Sequence, residues 1–174
     1  MTTIERPRDT EYSAYYNGYV TGVPEGDVID LLERQGRELA QTLSAAGESR
    51  GGFRPAPGKW SLKEVVGHVT DGERVFSYRA LRIARGDATP LASFDQDAFV
   101  AAANFDRRTL SDLVDEFVAV RAATLALFRS LTPEETLRAG TASGAGVTVR
   151  ALAYIIAGHD RHHARAIRER YLQH

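Results

Sequence analysis

The sequence predicts an all-α fold, a four-helix bundle with a polar site in its core. Three observations carry that expectation. Four stretches of roughly 20 residues repeat apolar positions at helical spacing. Neither a strand-helix alternation nor a Gly-rich phosphate loop is present, which argues against a nucleotide-binding α/β fold. And three of the five histidines fall within five residues, His159 to His163, two of them on an apolar stripe.

Composition sets the outer limits. A chain of 174 residues, 43% hydrophobic and 26% charged, suits one domain over residues 1–174 with a full core. A net charge of −1 gives no global attraction to nucleic acid or to an acidic membrane. The start, Met1 to Arg8, is not a signal peptide, and no apolar run approaches a membrane span. The expectation is a soluble cytoplasmic protein acting on a small molecule, with neither nucleic acid nor membrane as partner. There is no cysteine. Disulfides, thiolate metal sites and a cysteine nucleophile are therefore excluded, and any thiol chemistry must use a thiol brought by the substrate.

Residues 1–24 show no periodicity and read as an N-terminal arm laid over the bundle. Tyr12, Tyr15, Tyr16 and Tyr19 are expected to be half buried there with hydroxyls toward water, as packing residues rather than substrate contacts. The first helix starts near Glu25–Asp27, where acidic residues suit the dipole, and Val28, Leu31, Leu32, Leu39 and Leu43 form its apolar face. Gln35 lies on that face, as a core amide or as support for a site. Gly47 to Gly58 is a loop.

The second helix opens at Ser61, with Glu64 completing a capping box and Trp60 and Val65 placed for a hydrophobic staple. It ends at Gly86-Asp87. His68 sits at the margin of its stripe between Gly67 and Gly72, which cost up to ~1 kcal/mol each against Ala. Either space beside the histidine is wanted or a neighbouring helix packs close. Asp71 and Glu73 follow and read as a solvated face. Residues 87–108 form a long crossover with a turn or two of helix near Asp95–Ala103, which lets the next helix run parallel to the second.

The third helix, capped by Thr109 or Ser111, lines one face with Leu110, Leu113, Val114, Phe117, Val120, Thr124, Phe128 and Leu131. Thr132-Pro133 starts a short helical turn. Ala139 to Val147 is a loop, and Thr148 or Val149 begins the last helix, which runs to Tyr171. Its stripe is Leu152, Ile156, His159, His163 and Ala166. Arg161, Arg165, Arg168 and Arg170 read as its solvated side, and the terminal His174 is expected to fray.

Side chains four apart on a helix differ by only ~40° in azimuth, so His159 and His163 can converge on one point. Two neutral imidazoles so placed are a bidentate ligand for a borderline divalent cation. His68, on a facing helix, is the candidate third ligand. Three nitrogens and an open fourth position form a catalytic metal arrangement rather than a closed structural one.

The runs Pro57-Gly58-Lys59-Trp60-Ser61-Leu62-Lys63-Glu64-Val65-Val66-Gly67-His68 and Ala157-Gly158-His159-Asp160-Arg161-His162-His163 resemble the DinB-like superfamily, in its YfiT-like branch. The connection Gly86 to Asp95 matches as well, and the resemblance covers residues 10–172 in order. It implies an up-down-down-up four-helix bundle, often a homodimer, with zinc or nickel held by His68, His159 and His163. It also implies one of two chemistries. In the first, a metal-bound low-molecular-weight thiol of bacillithiol or mycothiol type is transferred to an electrophile; in the second, metal-bound hydroxide hydrolyses a substrate. A non-catalytic metal-binding stress-response protein is the third reading. No residue is singled out as general acid or base. Asp160 should point away from the metal, and His162 is a possible supporting partner.

Overall fold

A computed structural model describes residues 3–173, so His174 lies outside the described residues. Four long helices form the bundle: α2 (Val28–Ala46), α3 (Leu62–Ala84), α5 (Leu110–Ser130) and α7 (Val149–Ala166). Each starts on a side-chain cap. Asp27 accepts from the amides of Ile29 and Asp30, Ser61 and Glu64 close a capping box, Thr109 accepts from Asp112 and Thr148 from Ala151. Each cap stabilises its helix by ~1 kcal/mol.

Helix α2 packs against α5 and α7, and α3 packs against the same two. Consecutive helices α2 and α3 are therefore diagonal in the up-down-down-up bundle. The crossover from α3 to α5 carries α4 (Gln96–Ala103), capped by Asp95 as the sequence indicates. A short α6 (Pro133–Leu137) follows α5. Among the described residues no helix is long and apolar enough to cross a membrane.

The apolar core comes in two clusters. One gathers Leu32, Phe76, Phe128, Leu152, Ile155 and Ile156. The other gathers Leu39, Leu62, Phe117, Leu113 and Ile167. Between them every bundle helix contributes polar residues or glycine: Gln35 and Gly36 on α2, His68 to Glu73 on α3, Arg121 and Thr124 on α5, Gly158 to Asp160 on α7. A polar layer thus crosses the middle of the bundle.

Three expectations need correction. The arm contains a helix, α1 (Asn17–Thr21), preceded by two 3-10 turns. It lies on α7, which explains why Val149 to Asp160 is buried all round rather than on one stripe. The segment expected as a loop after α6 is a hairpin, β1 (Ala139–Ala142) with β2 (Ala145–Thr148). Its two-residue turn takes Ser143 and Gly144 at φ 53° and 76°, the twist that suits a tight hairpin. Leu91 extends it, donating to Thr141 O at 2.9 Å and accepting from Ser143 N at 3.0 Å. Third, Val120 is only half buried and its neighbour Arg121, 3% exposed, takes the core position on α5.

Candidate metal centre

His68 projects from the first half of α3 and His159 and His163 from the second half of α7, where these two helices pack together. One ring nitrogen from each lies within 4.8 Å of the others. Nε2 of His68 faces Nε2 of His159 at 3.0 Å, close to the ~3.3 Å between two nitrogen ligands on one tetrahedral ion. Without an ion, that pair shares one proton, one ring donating and the other accepting. His163 closes the triangle, its ring centroid 4.9 Å from His68 and 4.5 Å from His159.

Burial keeps all three rings uncharged. It lowers His68 to about 4 and His163 to about 3. His159, enclosed completely and next to its two partners, falls well below the ordinary imidazole value. Neutral imidazoles with free lone pairs are the form a metal requires.

The two glycines flanking His68 resolve one to each reading. A Cβ on Gly72 would stand 3.1 Å from Cε1 of His159, so this glycine makes room for the ligand ring. A Cβ on Gly67 would stand 2.4 Å from the Phe105 ring, so that glycine permits close packing. Trp60 stacks obliquely on His68, with centroids 4.9 Å apart. Its carbonyl accepts from the Tyr171 hydroxyl at 3.0 Å. Tyr171 reaches it from a π turn, Ile167–Tyr171, that ends the last helix.

A cavity of about 440 Å³ opens on His68 and His159. Its walls are Tyr15, Tyr16, Tyr19, Phe76 and Phe94, with Ser13, Asp95, Gln96 and Ser143 supplying polar groups. Three of the four tyrosines expected as packing residues therefore face the site. Tyr12 is buried and Tyr15 is 76% exposed, so the uniform half-burial expected of the run does not hold. A second cavity of about 510 Å³, lined by Trp60, Lys59, Arg170 and Tyr171, reaches His163 from the other side. His162 lines that second cavity and is exposed. Its ring stands edge-on to Tyr19, and it makes no hydrogen bond to the triad among the described residues.

Asp160 points away from the histidines, toward Arg121 at 3.4 Å. Burial raises it to about 6 against the pull of that guanidinium. Glu73, expected on a solvated face, is 2% exposed. It accepts two bonds from Arg121, at 2.9 and 2.8 Å, while Leu32 O takes a third at 2.6 Å. A Cβ on Gly36 would sit 2.9 Å from Cγ of Arg121, so α2 is thinned to admit the side chain. Sequence reasoning missed this pair; the available sign was a mid-helix glycine opposite an arginine four residues after Phe117. Asp71 is half buried and pairs with Arg74 at 3.5 Å. Gln35 is only partly satisfied: Nε2 donates to Ala157 O at 3.4 Å, and Oε1 has no partner among the described residues.

Among solved structures, YfiT from Bacillus subtilis, described as a probable metal-dependent hydrolase with an unusual four-helix bundle topology, superposes with a TM-score of 0.74. It is 17% identical, over 95% of this chain and 90% of that one. The mycothiol-dependent maleylpyruvate isomerase gives a TM-score of 0.70 at 14% identity, over 88% of this chain and 62% of that one. At such identities these structures establish the fold. No curated protein sequence matches the chain. The profile of the DinB superfamily matches residues 31–167, which hold nearly all of the bundle and all three histidines of the cluster, and the chain belongs to that superfamily.

Proposed function

We propose that the protein is a divalent-metal-dependent enzyme that transfers a low-molecular-weight thiol, of bacillithiol or mycothiol type, to an electrophile. His68, His159 and His163 are its metal ligands, for zinc or nickel. The observation that carries the reading is three uncharged imidazoles, two buried and one half-buried, converging beside an aromatic cavity in a chain without cysteine. When bound, the ion supplies the positive charge that lowers the pKa of a thiol or a water in the open position.

The chain's own residues prepare that position. Helix α7 sets two rings one turn apart, α3 supplies the third, and Gly72 leaves the space that His159 occupies. Tyr16, Tyr19 and Phe76 wall the site on one side and Trp60 on the other, replacing part of its hydration with aromatic surface, which strengthens electrostatic effects within the site. Because no cysteine is present, the protein cannot occupy its own metal with a thiolate.

Metal-dependent hydrolysis is the second reading, favoured by the description of YfiT as a probable metal-dependent hydrolase. Incubating metal-loaded protein with a chloroaromatic electrophile, with and without bacillithiol or mycothiol, separates the two. Thiol-dependent turnover is expected; turnover without thiol would reject the transferase. His159→Ala and His163→Ala should each abolish tight metal binding in elemental analysis while circular dichroism keeps most helicity, and unchanged metal content would refute the ligand set. The active unit is proposed to be a homodimer, to be checked by sedimentation at micromolar protein.

A further inference from the structure

The two cavities that reach the triad differ in charge. The one on His163 has Lys59 and Arg170 in its wall against Asp97 alone. Among the described residues, the one on His68 and His159 is lined by neither lysine nor arginine, and Asp95 is its one carboxylate. Asp95 Oδ1 is engaged in capping α4, accepting from the amides of Asp97 at 2.9 Å and Ala98 at 3.1 Å. A positive charge lies close by. Arg79, 3% exposed and not part of the wall, stands over the Phe76 and Phe94 rings at 6.0 and 5.9 Å from their centroids. Its charge offsets that of Asp95, and the two histidines are uncharged. Neither sign of charge is favoured inside.

What the cavity offers instead is aromatic surface. Tyr16 stands at 87° to both Tyr15 and Phe76, with centroids 5.0 and 6.0 Å away, so three rings form perpendicular panels. Phe76 in turn meets the His159 ring at 5.9 Å. The aromatic lining thus runs from Tyr15, 76% exposed, inward to the triad. Panels at right angles let a flat guest meet faces on some sides and edges on others, both favoured arrangements of rings. The volume of about 440 Å³ falls within the ~300–1,000 Å³ of small-molecule sites. The other polar groups, Ser13, Gln96 and Ser143, are uncharged. Ser143 Oγ accepts from Arg79 Nη2 at 2.9 Å, and since a guanidinium accepts nothing, the hydroxyl proton is left for another partner. Moving an ion from water into such an enclosure costs more than moving a neutral ring.

We propose that this cavity binds an uncharged aromatic molecule, packed against Tyr15, Tyr16 and Phe76, and that this molecule is the electrophile of the reaction proposed above. Its part as electrophile rests on the thiol-transfer reading. Its binding rests on the cavity alone and needs neither metal nor thiol. An anionic group is directed instead to the far cavity, beside Lys59 and Arg170.

The test is isothermal titration calorimetry of the full chain, free of metal and thiol, with 2-naphthol as the neutral probe. Wild type should bind it, and the ions naphthalene-2-sulfonate and trimethyl(2-naphthyl)ammonium should compete roughly tenfold more weakly or worse. Tyr16→Ala should weaken the binding roughly tenfold and Tyr15→Ala severalfold. Lys59→Gln, in the other cavity, should leave it unchanged. The proposal is overturned by no binding of 2-naphthol, by either ion competing as strongly as 2-naphthol binds, by tyrosine variants that bind like wild type, or by a loss in Lys59→Gln. Should Tyr16→Ala fail to fold, Tyr15→Ala decides, since that side chain is largely exposed. Binding without any thiol transfer would reject the reaction and keep the site; thiol transfer by a protein that does not bind 2-naphthol would do the reverse.

Discussion

Gly72 illustrates how single residues set this site. Alanine there gains up to ~1 kcal/mol of helix propensity, yet its Cβ would stand 3.1 Å from the His159 ring. Gly72→Ala should therefore leave Tm unchanged or raised while metal affinity falls roughly tenfold, as for other changes that displace a ligand ring. Thermal melts and chelator competition read the two effects separately, and unchanged affinity would show that the ring has other room. Arg121 acts in the opposite sense. Arg121→Met leaves Glu73 and Asp160 enclosed without a counter-charge and should cost ~3–5 kcal/mol in urea melts. A loss under 1 kcal/mol would mean that water reaches the carboxylates. His159 and His163 could be read from the sequence because two rings on an apolar stripe at i, i+4 are unusual, and His68, at the margin of its stripe, through the family resemblance. Glu73 and Arg121 could not. Periodicity assigns a charged residue to solvent, and only the partner 48 residues away brings this one inside.

At the level of elements, the N-terminal arm is tied down by charge as well as by apolar contact. Glu11 accepts from Arg150 Nε at 2.7 Å and from Thr148 Oγ1 at 2.9 Å, across the start of α7. Arg150 above all holds its carboxyl down from 4.5 to about 2. The folded value lies below the unfolded one, so the contribution is complete above pH 4.5 and drains away as pH falls toward 2. Stability measured by urea melts should fall over that window in wild type and more shallowly in Glu11→Gln; parallel profiles would remove the clamp. Gly158 tests the same docking from the other side. A Cβ there would lie 2.2 Å from the carbonyl oxygen of Tyr19, a backbone atom that no rotamer change can move. Gly158→Ala should expose the arm to limited proteolysis while the bundle stays helical, and wild-type resistance would count against close docking. The arm was read as lying over the bundle, but neither the helix within it nor the hairpin was legible. The arm's turns are too short to show a period, and β1 and β2, Ala-Gly-Thr-Ala and Ala-Gly-Val-Thr, lack the alternation that marks a strand. The long helices were legible, with their caps, because each carries several turns of pattern.

Across the whole molecule, two apolar clusters sandwich a polar layer in which rings and charges sit side by side. An ion that binds the folded chain alone would add about 4 kcal/mol at a free concentration a thousandfold above its dissociation constant. Chelation should accordingly lower the Tm of wild type by several degrees and leave His163→Ala unmoved; equal responses would separate stability from the triad. The layer also divides labour. Its inward-facing groups come from the four bundle helices, within the stretch shared with the superfamily, whereas Tyr15, Tyr16 and Tyr19 come from a segment that precedes residue 31. The histidine cluster and the tyrosines of its cavity are thus encoded in different parts of the chain. Exchanging some two dozen leading residues between relatives should re-select the guest without rebuilding the body that receives it.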